Sequence, residues 1–315
     1  MMLEWLALVE AVAHAADGAD VDAADAAAPA PAPPTLEEKY PVRFPGQVRP
    51  GEPNFDLEVV YYEGRFEDGL AEVERRLAQA PSPQLYWMKV RFMYEIGEKF
   101  DPKDTSIDRL AFYQEMADAV EAGLALAPTD RHLLFARGVA LGRLGTTRGV
   151  LSSLFMAKDV EQSWLAVAND KAYQYSSIGG HEVLPCDAFH ALGIYYRLVP
   201  DWWIVQVIAG TRGNLEKSVE WHTKATRCKP DEVANWKELG ATQLCLGQHD
   251  KDQAMIDAGM ASLQKGASLP TGASERKRID QRHAKAMMAD PSLACGYSRD
   301  GQQDLDEKKL KARGK

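Results

Sequence analysis

The chain is poor in cysteine, and none of its cysteines stands in a Cys-x-x-Cys pair. Four of them (Cys186, Cys228, Cys245 and Cys295) are scattered through 315 residues. That spacing excludes the common zinc ribbons and thioredoxin-type motifs and leaves buried thiols or at most two disulfides. Free buried thiols are the simpler expectation, with Cys228 and Cys245 as neighbours on successive helices. Long apolar runs are missing too: no segment past the N-terminal stretch offers the ~18 or more uncharged apolar residues that a membrane span needs. His-Glu-x-x-His, Gly-x-Ser-x-Gly and paired-carboxylate patterns are absent. The glycine-bearing stretch Gly142 to Gly149 is not followed by Gly-Lys-Ser/Thr and follows no strand, so it reads as a turn and not as a phosphate loop. Excess charge is also absent from the body of the chain. The net charge is −9, but residues 1–39 carry eight acids and one base, leaving 38 acids against 36 bases in the remainder. With a nearly neutral body, nothing in the charge argues for a nucleic-acid surface.

What the chain has is repeated punctuation. From Pro230 it reads Trp236-x-x-Leu239-Gly240 and then Gly247; from Pro128 it reads Leu134-x-x-Arg137-Gly138 and then Gly145, at the same offsets. A proline closes one helix, a large side chain six residues later opens the buried face of the next, and a small residue four further on lets two helices approach. Twelve residues before Pro81, Pro128 and Pro230 stand Gly69, Met116 and Ser218, which places a partner helix ahead of each proline. The unit is therefore a helical hairpin. It resembles the tetratricopeptide repeat, whose 34-residue pattern puts Trp, Leu-Gly, a small residue and Pro at these stations. The first unit carries Leu57, Gly64, Phe66, Gly69 and Pro81, then Trp87. The expected fold is all-α, a tetratricopeptide-like α-solenoid of about five hairpins.

Three regions are expected. Residues 1–39 form a disordered leader and Ala/Pro-rich linker, with Leu3 to Ala15 as a weak signal-peptide candidate ending in Ala13-His14-Ala15 but interrupted by Glu4 and Glu10. Residues 40–290 form the array, and residues 291–315 a charged tail. Within the array the spacing predicts a lengthened hairpin turn at Lys99 to Thr105 and a long helix over roughly 147–169. It also predicts a turn at Ser176 to His181, a helix from Pro185 to Leu198, and closing helices over Asp250 to Gln264 and Glu275 to Ala289.

Between Val199 and Gly210 lies an insert with Trp202, Trp203 and five aliphatic residues, followed by Asn214 as an N-cap. Two readings stand: an extra amphipathic turn packed across the array, or an apolar wall facing a cavity or a partner. The segment from Gly193-x-Tyr195-Tyr196 through Trp202, Trp203, Gly210, Gly213, Leu215 to His222, Lys224, Ala225 and Pro230 resembles the tetratricopeptide T-component proteins associated with bacterial TRAP transporters. It also resembles the related regulator-of-microtubule-dynamics proteins. The likeness covers roughly residues 185–250. It implies a periplasmic or exported adaptor that holds an apolar ligand and docks a solute-binding protein; this chain lacks the lipoprotein cysteine of that group.

The expectation is thus a binding protein without catalytic activity or cofactor, with Trp164, Tyr195, Trp202, Trp203 and Arg212 against an apolar ligand or partner protein. The alternative is a cytoplasmic scaffold whose concave face holds a peptide through Arg137, Asn235 and Lys237. Arg137, Arg143 and Arg148 approach one another along the sequence and could receive a carboxylate. An outsider is a metal-dependent enzyme using His181, Cys186 and His190, a spacing that fits no common zinc arrangement.

Overall fold

The computed structural model describes residues 34–101, 104–149, 153–272 and 274–297. Thirteen α-helices account for most of them: α1 (Leu36–Lys39), α2 (Phe55–Tyr62), α3 (Phe66–Gln79), α4 (Pro83–Gly97), α5 (Arg109–Leu126), α6 (Arg131–Arg148), α7 (Leu154–Ala168), α8 (Cys186–Leu198), α9 (Trp203–Ala209), α10 (Leu215–Cys228), α11 (Val233–Asp250), α12 (Gln253–Ser268) and α13 (Glu275–Ala289). The fold is all-α apart from a two-residue hairpin, in which Tyr175–Ser176 (β1) pairs antiparallel with Val183–Leu184 (β2).

Short polar side chains start the helices. Ser82, Asp108, Asp130, Asn214, Asp252 and Ser274 each accept a hydrogen bond from the backbone N–H three residues on. Each cap is worth about 1 kcal/mol against alanine. The cap by Asn214, expected from the sequence, is made to the N–H of Lys217 at 2.6 Å.

Small residues at the repeat stations then set the helix contacts. A Cβ on Gly69 would collide with the Phe92 ring, on Gly138 with Trp164, on Gly193 with His222 and on Gly240 with Leu263. Each glycine faces a bulky side chain on the next long helix, so it admits that side chain where any larger residue would push the two helices apart. From α2 to α8 and from α10 to α13 successive helices pack on one another, α8 packs on α10, α9 packs on α7, α4 also touches α6, and α11 touches both α8 and α13. One apolar core runs from Leu57 on α2 to Trp221 on α10, and a second gathers Ala241, Leu244, Leu263, Ala284, Met287, Leu293 and Tyr297. The start of α13 returns to α4, where Arg276 donates to the Tyr94 hydroxyl at 3.1 Å.

Several expectations change. The stretch expected as a turn at Gly142 to Gly149 is helical up to Arg148, the end of α6, where Gly149 takes a φ of +96°; the helix expected over 147–169 begins only at Leu154, as α7. The turn at 176–181 is the tip of the β hairpin, with Gly179 and Gly180 both at positive φ. The cysteines are not free, and Cys228 does not pair with Cys245. Cys186 is bonded to Cys228, and Cys245 to Cys295. The second bond moves the boundary of the tail, because Leu293, Ala294 and Tyr297 are buried beside Cys295 and belong to the folded body. At the other end, Thr35 caps the single turn of α1, a helix inside the expected leader. The signal-peptide candidate and the segment from Arg299 onward lie outside the described residues.

Candidate functional site

The insert between α8 and α10 is the most unusual surface of the molecule. Two backbone hydrogen bonds pin its ends. The Asn214 N–H donates to the Tyr196 carbonyl at 2.8 Å, and the Gly213 N–H donates to the Pro200 carbonyl at 3.2 Å. A Cβ on Gly213 would strike the Val199 carbonyl, so only glycine allows the chain to turn back there. Gly210, at a φ of +70°, ends α9 in the left-handed conformation.

Between these ends α9 is apolar on both faces. Val205 and Ala209, four residues apart, are buried and seat the helix on α7. The opposite face carries Trp203, Ile204, Val207 and Ile208 into solvent, with Trp203 72% and Val207 71% exposed against 1% for Val205. Trp202 precedes it and Phe155 on α7 is likewise exposed. At about 200 Å² for a fully exposed side chain of this size, Trp202, Trp203, Ile204, Val207 and Ile208 together present an area on the order of 600 Å², at the upper end of the 300–600 Å² of the largest patch on a typical monomer. Arg212 and Asp201 close one edge as an exposed ion pair of 3.2 Å. One side of the helix therefore packs across the array, as the first reading has it, and the other side exposes apolar residues to solvent.

The remaining candidates lie elsewhere. Trp164 is buried and donates from Nε1 to the Phe135 carbonyl at 3.2 Å. Tyr195 is buried, its hydroxyl donating to the Ala157 carbonyl at 3.0 Å and standing 3.2 Å from the Thr211 hydroxyl. Both are buried with their polar atoms satisfied inside the core, and neither is presented to a ligand. Arg137 is occupied by Glu121 at 2.6 Å and Asp159 at 3.6 Å. Arg143 pairs with Glu98, and Arg148 donates to Gln114, so the three arginines do not converge on one empty position. Asn235 is buried and donates to the carbonyls of Ala225 and Lys229, closing the turn between α10 and α11. Lys237 is fully buried, with its Nζ 2.7 Å from Asp280 and 2.8 Å from Glu238. A concave face with Asn235 and Lys237 as contacts is therefore not what the structure presents. Cys186 is consumed by its disulfide, and among the described residues no three His, Cys, Asp or Glu side chains gather as metal ligands.

Two buried charge clusters escaped the sequence reading. In the second half, Arg197 and Lys237 flank Glu238: burial pushes this carboxyl up, and the two cations outweigh burial and hold it below the ordinary range. In the first half, Arg91 lies over the rings of Tyr61 and Trp87, donates to Glu58 at 2.6 Å and stands 3.5 Å from Glu182. Burial lifts Glu182 to about 7 against the pull of Arg91, and burial together with Arg91 presses His132 down to about 3. A signal for this cluster existed. Arg91 sits among Leu85, Trp87, Met88, Val90 and Phe92, the buried positions of α4, and a charge on an apolar face needs a partner.

No family model matches the chain, and no curated protein matches it.

Proposed function

We propose that the chain is a non-catalytic adaptor, a tetratricopeptide-like array of helical hairpins that docks a partner protein on the exposed face of α9. The pairing α2 with α3, α4 with α5, α6 with α7, α8 with α10 and α11 with α12, each pair in contact, supports the hairpin reading. The single observation that carries the function is the solvent-facing row of Trp203, Ile204, Val207 and Ile208 on a helix already anchored by its other side. Large contiguous apolar surface of this kind marks an interaction site.

A protein suits this surface better than a small apolar ligand. Ligand sites bury most of the ligand in a cleft, whereas these side chains stand outward on a ridge. The pairs Trp203 with Val207 and Ile204 with Ile208 are four apart, the spacing with which a helix anchors in a partner's groove. The two disulfides favour an oxidising compartment. With the resemblance to the T-component proteins, they point to an exported location and to an exported partner such as a solute-binding protein.

The test replaces Trp202, exposed directly before α9, with the photo-cross-linking residue p-benzoylphenylalanine in the full chain inside its own cells. Illumination is expected to trap one protein, and the adduct is expected to vanish when Trp203→Ser and Val207→Ser are introduced, with the thermal midpoint unchanged. No protein adduct, or one that survives the two serines, overturns the reading.

A further inference from the structure

Away from α9, and independent of its role, α2, α4 and α6 together with residues 46–54 and 174–175 enclose a recess of about 240 Å³. At roughly 30 Å³ per water, this is room for a small organic molecule. Glu58, Trp87, His132 and Tyr175 line its inner part, and Glu52 and Gln174 also line it. Three polar atoms of the lining are buried and have no protein partner: Glu58 Oε2, Trp87 Nε1 and His132 Nδ1. Glu58 is only 2% exposed. Its other oxygen, Oε1, is fully used, accepting from Arg91 at 2.6 Å and from the Tyr175 hydroxyl at 2.8 Å. Glu58 and Trp87, two residues of one lining, thus each keep a buried polar atom, a carboxylate oxygen and an indole N–H, without a hydrogen-bond partner.

The charge of the lining selects the sign of the occupant. Glu52 and Glu58 are its carboxylates, no lysine or arginine is among the lining residues, and the His132 ring is held neutral. Arg91, behind Glu58, balances that one carboxylate. Glu52 is exposed and makes no ion pair among the described residues, so the recess keeps a net negative charge. The faces of Trp87 are taken, one contact being the His132 ring at 4.0 Å and another the Arg91 guanidinium at 4.5 Å. Recognition therefore runs through the carboxylates and the indole N–H and not through a ring face.

We infer that this recess binds a small amino alcohol or similar alkylammonium compound, its ammonium held by Glu52 and Glu58 and its oxygen accepting from Trp87 Nε1. The probe is 4-aminobutan-1-ol, with 4-hydroxybutanoate as a control of the same length and opposite charge. Both are titrated into the full chain while the indole N–H signals are followed in 1H–15N spectra, Trp87 being assigned with Trp87→Phe. The amino alcohol is expected to move the Trp87 signal saturably and the hydroxy acid to leave it still. Glu52→Gln, at an exposed position that does not carry the fold, is expected to weaken the amino alcohol about twofold to fivefold, the reach of an exposed charge pair. No saturable movement, equal movement with both probes, or unchanged affinity in Glu52→Gln would each overturn the assignment.

Discussion

Replacing Lys237 by methionine tests the structure most sharply, because its sequence position suggests a partner contact and its burial makes it part of the core. Methionine keeps most of the apolar stem and removes the charge. In the native chain the ammonium lies between Asp280 at 2.7 Å and Glu238 at 2.8 Å, and 5.0 Å from the centre of the Tyr297 ring. Glu238 would retain Arg197, but Asp280 would lose this buried cation where water does not reach it. Removing one member of a buried ion pair costs about 3–5 kcal/mol, out of the 5–15 kcal/mol by which domains are typically stable. At about 2–4 °C per kcal/mol for a chain of this size, the thermal midpoint should fall by roughly 6–20 °C. Urea unfolding followed by far-ultraviolet circular dichroism at pH 7 measures the loss, with Lys265→Met on the exposed side of α12 as the control. That control should stay within about 0.5 kcal/mol of the parent. Adding Asp280→Asn to Lys237→Met removes the carboxylate charge that faced Lys237 and should return a good part of the loss. A Lys237→Met variant that loses less than about 1 kcal/mol, or no more than the control, would refute the reasoning and return Lys237 to the surface role its sequence position suggested.

Two further measurements probe other parts of the molecule. Glu182 has an ordinary value of 4.5 and is held near 7 by burial in spite of Arg91, so between those pH values the unfolded chain gives up a proton that the folded chain keeps. Its contribution to stability is therefore intact below pH 4.5 and falls as pH rises to about 7, by about 3 kcal/mol at 1.4 kcal/mol per pH unit. The stability of Glu182→Gln minus that of the parent should rise across this interval, and a flat difference curve would contradict the placement of Glu182. The disulfides span 42 and 50 residues, and loop closure of that length is worth about 4 kcal/mol each. Alkylation of the native chain should label no thiol, and reduction should lower the urea midpoint; four alkylated cysteines in the unreduced protein would contradict both bonds.

The helices were largely legible because their signals are local. Prolines, N-caps and the six- and ten-residue offsets act within one turn or one hairpin, and the helix at 186–198 and the cap at Asn214 fall where the sequence places them. The turn after α6 was placed too early, at Gly142 to Gly149, because glycine is tolerated inside helices; Gly142 and Gly145 stay helical, and only the positive φ of Gly149 marks an end. The candidate site was legible in outline. A row of large apolar residues in a short connection cannot all be buried by one small helix, and the exposed side of α9 follows from that. Trp164 and Tyr195 were assigned to the same wall on composition alone, yet their polar atoms are satisfied by backbone carbonyls within the core. Aromatic identity does not distinguish a buried residue from an exposed one.

What the sequence determined by itself is the helical class and the stations at which glycine lets a bulky partner in, since periodicity, capping and side-chain size are properties of neighbouring residues. Only the tertiary structure decided which cysteines meet, that Lys237 and Arg91 are interior charges, that α13 returns to α4, and which side of α9 faces water. Each of those depends on groups that are tens of residues apart along the chain. Burial and the partners it requires are set by what the whole fold brings together, and no local spacing encodes them.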